Sequence, residues 1–410
     1  MALNRGPRST GDDRELRLWR VGRALSVTFV AAVVVSGGVF YGLVSLLDFR
    51  KIGATATLDA KTLFDLLKLS FGVVAGAGAL VALVVAYRRQ RVDEAGSHRE
   101  ATRLHTERFS QAVDKLGSDS PAVRLGGVHA LAGLADDAPT QDLRQTCIDV
   151  LCAYLRLPFT PDPGTDPIHL DGHHQYLAFR TVRHTILRLI GDHYRRPQGT
   201  HRSWQGCDLD LTGVTIDGYM NFSGAVFPSG GGVDFGGATF NSAVFFDRAR
   251  FSGGTVNFGD ATFSTAVVSF DHAQFSSGRV SFRGATFSGS TVSFGGTVPF
   301  HGAETILDCA IFSGSVVDFD EAIFSDGRVS FLGAVFAAGA VSYGDATFSG
   351  GTVSFDRATF SGSTVSFDRA TFSGSTVRFI RATGPAPWGL LYAVGTPVPE
   401  TITLPPGWLV

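Results

Sequence analysis

A twelve-residue unit repeated back to back constrains this chain more than anything else in it: ATFSGSTVSFDR at 358–369 is followed at once by ATFSGSTVRFIR at 370–381. One run of aromatic residues returns every twelve positions at Phe312, Phe324, Phe336, Phe348, Phe360 and Phe372. A second run, offset by seven, reads Phe319, Phe331, Tyr343, Phe355, Phe367 and Phe379. Upstream the same pair of runs appears at Phe251, Phe263, Phe275, Phe287 and at Phe258, Phe270, Phe282, Phe294, with a slip of register around Phe300 and Leu307. Self-similarity at a fixed period means stacked, near-identical structural units.

The residue two before each ring is small and apolar, as with Ala358 before Phe360 and Val365 before Phe367. Period-two alternation sends those pairs to one face of a short strand and Thr359 or Ser366 to the other. Strands of about three residues bury nothing alone, but stacked coils make the Phe, Ala and Val a continuous interior. Gly362 and Ser363 fall where the chain turns a corner. The expected fold is a β-solenoid.

VSFDR at 353–357, ATFSG at 358–362, VSFDR at 365–369 and ATFSG at 370–374 resemble the unit of the pentapeptide-repeat family: a small residue, a polar one, a central Leu or Phe, then two polar ones. The resemblance implies a right-handed four-sided β-helix with about twenty residues per coil. This sequence departs from it by inserting two residues, such as Ser363 and Thr364, after every second pentapeptide. Two dodecads would then make one coil. A twelve-residue coil would instead stack Asp356 on Asp368 and Arg357 on Arg369 at about 4.8 Å, a like-charge column that sheets avoid. The longer coil places Arg369 over Asp345, and about seven such coils are expected.

The formal net charge of −2 gives no global electrostatic case for nucleic acid or for an acidic partner. Cys147, Cys152, Cys207 and Cys309 suit no zinc motif and read as buried small hydrophobes in a reducing compartment.

Residues 1–23 form a cytoplasmic tail with six arginines, and 24–47 follow without one charge, long enough to cross a bilayer. Residues 48–68 read as a short external loop. Residues 69–87 form a second uncharged run, ended by Arg88, Arg89 and Arg91. Basic flanks on the outer ends of this transmembrane hairpin place both termini in the cytoplasm. Gly38 and Gly42, with Gly72 and Gly76, form small-xxx-small pairs that serve either packing of one span on the other or a homodimer. Residues 88–157 read as a cytoplasmic helical region, a small all-α part with helices at 88–116, 122–135 and 141–155. Residues 158–203 hold a proline-rich linker and a capping helix at 176–195; 204–383 are the β-helix; 384–410, with Trp388 and Trp408, fold over the last coil. The whole arrangement resembles a group of actinobacterial-type membrane proteins with paired spans and Phe-rich pentapeptide repeats, to which the likeness assigns no reaction.

His169, Asp171, His173 and His174 are the one dense cluster of metal-type ligands, placed in a proline-flanked loop with no second cluster to complete a site. Solvated linker histidines are the expected account. Cys147 and Cys152, near His129, do not share a helix face well and read as core residues. Outward Thr352, Ser354, Thr364 and Ser366 suit solvent-facing strands better than ice. From 207 to 383 there are 16 acidic residues against 9 arginines, far sparser than a DNA duplex. No catalytic, cofactor-binding or metal-binding residue is assigned. The chain reads as a membrane-anchored, non-enzymatic scaffold that presents a rigid β-helix to an unknown protein in the cytoplasm. Its bilayer contact is made by two spans, and nucleic acid is not a partner. The alternative is a DNA-mimic-like modulator of a type II topoisomerase.

Overall fold

The computed structural model describes residues 60–409 apart from 159, 265, 297 and 298, together with scattered positions between 26 and 41. The chain divides into two compact units, residues 1–100 and 101–410. Within the first, the expected span at 24–47 and the loop from 48 to 59 fall largely outside the described residues. Helix α1 (Ala60–Leu116) runs for 57 residues, so residues 60–68 are helical and not loop. The physical reason is local: no Gly or Pro interrupts the sequence from Ala60 to Phe71. The uncharged run at 69–87 lies inside α1. Among the described residues, no helix is long and apolar enough to cross a membrane. A Cβ at Gly38, Gly72 or Gly76 would meet nothing within 4 Å, so no close helix crossing is described at these glycines; Gly42 lies outside the described residues.

The second unit opens with the last turns of α1, followed by α2 (Pro121–Asp136), α3 (Gln141–Arg156) and α4 (Leu170–Tyr194). Pro121 starts α2 where a missing N–H costs nothing, and the Thr140 hydroxyl caps α3 by accepting from the Leu143 N–H at 3.3 Å. Val128, Leu131 and Ala135 of α2, Ile148 and Leu151 of α3 and Val182, Ile186 and Ile190 of α4 are fully buried in one core. Helix α4 begins six residues earlier than 176, which turns the expected histidine loop into helix. Asp166 makes this possible: its carboxylate accepts from the Ile168 N–H and starts a short 3-10 turn (Pro167–His169) that feeds α4.

The rest is a parallel β-solenoid of about 8 turns. Leu209 pairs with Val233, Thr215 with Thr239 and Val341 with Val365, a repeat of 24 positions as the charge argument required. Four ladders of short strands rise in step, beginning at Leu209–Asp210, Thr215–Ile216, Met220–Asn221 and Val226–Pro228. The second and third ladders are 7-stranded sheets, whereas the solenoid as a whole makes about 8 turns against about seven expected. The first and fourth merge into one 14-stranded sheet, because two strands of eight residues (Arg250–Asn257 and Gln274–Ser281) continue around the corner between them. The register slip is one extra residue: Phe275 pairs with Phe300 and Phe287 with Phe312, after which the 24-residue step resumes.

Inside, the rings stack in columns. Phe294 lies on Phe319 at 4.6 Å and Phe287 on Phe312 at 5.1 Å, planes nearly parallel, which is the spacing of the strands themselves. Neighbouring columns meet edge to face, as between Phe246 and Phe258 at 5.8 Å and 86°.

A parallel stack leaves unpaired backbone at both ends, and each end is covered differently. At the first coil, side chains do it. Gln145 of α3 pairs with both the N–H and the carbonyl of Asp208, at 2.9 and 2.8 Å. Arg183 of α4 donates to the Thr215 carbonyl at 2.7 Å, and Arg195 to that of Asn221 at 3.0 Å. One side chain thus serves each of the first three ladders. At the last coil, chain 384–409 folds back. Thr401 and Thr403 accept from Val377 and Phe379, adding one more short strand (Ile402–Thr403) as part of the expected cover. Trp408 then lies edge-on over Phe360 and Phe379.

Candidate interaction surface

The outward side chains of the ladders come in columns, because the short strands stack residue on residue, with bulges confined to the two long corner strands. The second ladder presents Thr215, Thr239, Thr262 and Thr286 in a file, then Ile311, Val335 and Thr359. The first ladder carries most of the paired charge: Arg279 bridges to Glu304 at 2.5 Å, and Arg378 to Asp356 at the adjoining corner at 2.8 Å. The corner after the third ladder holds the pair anticipated from the coil length, Arg369 on Asp345 at 2.7 Å.

The corner aspartates have a structural task that their solvent-facing positions did not suggest. Asp271 accepts from the Ser293 hydroxyl at 2.5 Å and the Gly295 N–H at 2.9 Å on the next coil. Asp320 repeats this with Ser342 and Gly344, and Asp308 with Ser330 and Leu332. Each carboxylate therefore clamps one coil to the next through charge-assisted bonds. The residue after it takes a left-handed backbone: His272, Cys309, Glu321, Arg357 and Arg369 all have φ between 55° and 63°. That conformation is cramped for a residue with a Cβ, and it points these side chains away from the coil.

The cluster singled out in sequence is dispersed. His169 ends the 3-10 turn, Asp171, His173 and His174 lie on the first turns of α4, and His173 is engaged by Asp162 at 2.7 Å. Among the described residues no group of three or more His, Cys, Asp or Glu is arranged to hold a metal ion. Cys147 faces His105 at 3.8 Å, not His129. Burial pushes the Cys147 thiol up to about 11 and that of Cys152 up to about 12, so neither is a thiolate at neutral pH. Cys207 is buried as expected. Cys309 is exposed, because it occupies the tip of a left-handed corner and not a ladder position.

Two features of the third ladder escaped the sequence reading. Its outward positions carry an apolar stripe: Tyr219 (57% exposed), Val267 (46%) and Val316 (50%), with Phe245 packed on Tyr219 at 5.3 Å and Ala340 next to Val316. Beside the stripe runs an acidic corner of Asp271, Asp320, Glu321 and Asp345, with Asp318 on the ladder itself. Burial, and then the carboxylates of Asp320, Asp271 and Glu321, hold the Asp318 carboxyl above the usual range. Among the described residues no Lys or Arg pairs with Asp318, Asp320 or Glu321. The signal was present in the sequence at 24-residue spacing, but only for a reader who knew which half of each coil to align.

Comparison with known proteins agrees with the repeat. A family model described as Pentapeptide repeats (9 copies) matches residues 246–298, in the first half of the solenoid. No curated protein and no solved structure matches the chain. The chain therefore contains pentapeptide repeats folded as a β-solenoid.

Proposed function

We propose that this protein is a non-enzymatic interaction module, a capped and rigid solenoid held at a membrane and displaying its outward columns to a protein partner. The observation that carries this reading is the outward surface itself. It is fixed in place by stacked rings and clamped corners, and its outward groups are mainly polar or charged, with Ile311 and Val335 on the second ladder and a longer exposed apolar file, Tyr219, Val267 and Val316, along the third. Exposed apolar patches on an otherwise polar surface mark contact sites. The solenoid is read as right-handed and four-sided in section, one side per ladder.

Membrane anchoring rests on the uncharged runs at 24–47 and 69–87 and the arginines that follow the second. Leu80, Leu83 and Val85 support it, since they lie on α1 with their side chains exposed. Both termini are placed in the cytoplasm on the positive-inside argument. The topoisomerase-modulator reading draws less support: the carboxylates that would imitate phosphates are in large part spent on bonds between coils.

The test is in-cell crosslinking of the full chain, then membrane fractionation and recovery in detergent. The expected result is a membrane-fraction protein crosslinked to positions on the solenoid. Recovery in the soluble fraction defeats the anchoring, and gyrase as the crosslinked species selects the alternative. C-terminal reporter fusions active only outside the cytoplasm would overturn the compartment.

A further inference from the structure

We propose that the third ladder docks a basic amphipathic α-helix of a partner protein, laid along the solenoid axis with its apolar side on the Tyr219–Val316 stripe and its cations against the acidic corner. The proposal rests on the interaction-module reading and names the face and the chemistry of its partner.

Spacing selects a helix. Tyr219, Val267 and Val316 stand two coils apart in turn, through the pairings of Met220 with Val244, Val244 with Val268, Val267 with Thr291 and Thr291 with Val316. At about 4.8 Å per coil this is about 9.6 Å between apolar knobs. Helix side chains seven residues apart lie about 10.5 Å apart on one face, so a contact of about four turns stays close to phase with the three knobs. Same-face side chains of an extended strand recur at about 6.8 Å and fall out of step. Strand addition is closed as well, because the solenoid's two ends are already covered by α3, α4 and the C-terminal segment.

Charge selects a basic partner. Asp318, Asp320 and Glu321 lie together beside Val316; burial first, and then repulsion from the neighbouring carboxylates, holds up the Asp318 carboxyl, and an approaching ammonium or guanidinium relieves the repulsion. The same field disfavours a phosphate backbone and anionic lipid headgroups. It is not arranged as a cation cage either, since Asp320 already accepts from Ser342 and Gly344.

The probe is a fluorescein-labelled synthetic helix of about 18 residues with leucine at heptad-related positions and lysine along one flank. It is titrated by anisotropy against the full chain in nanodiscs of zwitterionic lipid, with empty nanodiscs as the blank. Val267→Lys with Val316→Lys is expected to weaken binding about tenfold or more, as loss of central apolar anchors does. Glu321→Lys is expected to weaken it about threefold at low salt and hardly at all near 0.5 M salt. Val335→Lys, outward on the second ladder, leaves binding unchanged. All of these side chains face outward, and an unchanged melting curve confirms an intact fold.

The proposal is overturned if the double variant binds the probe like Val335→Lys. It is also overturned if a probe with glutamate in place of lysine binds equally, if the parent chain binds neither, or if duplex DNA displaces the probe. Should a crosslinked partner persist on the Val267→Lys, Val316→Lys chain, this inference fails while the interaction-module reading stands. If no partner is recovered at all, the broader reading fails on its own experiment.

Discussion

The helical block and the solenoid it caps are stabilised in opposite ways. In the solenoid one contact is made many times: a ring on a ring, an alanine beside it, a corner carboxylate clamped to the next coil. In the block the important contacts are made once. Asp136 accepts from the Trp204 indole N–H at 3.0 Å and faces His193 Nε2 at 3.1 Å, and His193 stacks on Trp204 at 4.1 Å. Arg183, buried, ties the Leu155 carbonyl of α3 to the edge of the second ladder. A repeated contact spreads stability over neighbours, whereas a unique one concentrates it. The array should accordingly tolerate small changes anywhere, and the junction should tolerate few.

The strongest way to break this contrast is to insert a charge into the array. Phe360→Asp places a carboxylate among stacked rings and is expected to cost more than about 4 kcal/mol, read as loss of the cooperative urea transition of the solenoid. A variant as stable as the parent would remove the ring-column account. Next comes Asp136→Ala, which strands the Trp204 and His193 donors. It is expected to cost about 2–4 kcal/mol and to raise hydrogen exchange first at the Asp208 N–H, held by Gln145, and at the Met220 and Phe222 N–H groups that bond the first coil to the second. Uniform loss of protection along the solenoid would show that the two regions are not separable.

Tyr343 sharpens the comparison in the other direction. It stands in a phenylalanine column, stacked on Phe319 at 4.9 Å, fully buried, with its hydroxyl unpartnered. Burial holds that hydroxyl far above its ordinary titration range. Tyr343→Phe removes the orphan and is expected to raise stability by about 1 kcal/mol in thermal melts; a loss would reveal an unseen partner. The smallest effect belongs to the exposed pair of Arg369 and Asp345. Arg369→Ala should change stability by less than about 0.5 kcal/mol, since both groups are largely solvated.

Legibility follows the same division. The aromatic spacing carried the solenoid, and one electrostatic argument, that Asp356 should not sit on Asp368, carried the 24-residue coil and the Arg369–Asp345 pair. Those inferences need only the pattern and short-range physics. The helical starts at Pro121 and Gln141 were readable to within a residue for the same reason. What stayed hidden depends on tertiary placement: that Gln145 would meet the backbone of Asp208, that Cys309 would stand at a corner tip, and that Asp162 would take up His173. The apolar stripe was hidden by symmetry. The two halves of a coil have near-identical sequences, so the valines three residues before Phe270 and Phe319, Val267 and Val316, show no common side until each half is assigned to one.

That symmetry has a genetic corollary, visible at the single extra residue between Phe275 and Phe300. An odd residue is absorbed within one turn, and the columns close up again beyond it. Gain or loss of a single dodecad would be equally harmless to the interior, yet everything downstream would emerge half a revolution away, with Glu321 and Val316 on the far flank. Duplication can therefore lengthen such a chain freely while keeping its contact side continuous only when units are added in pairs.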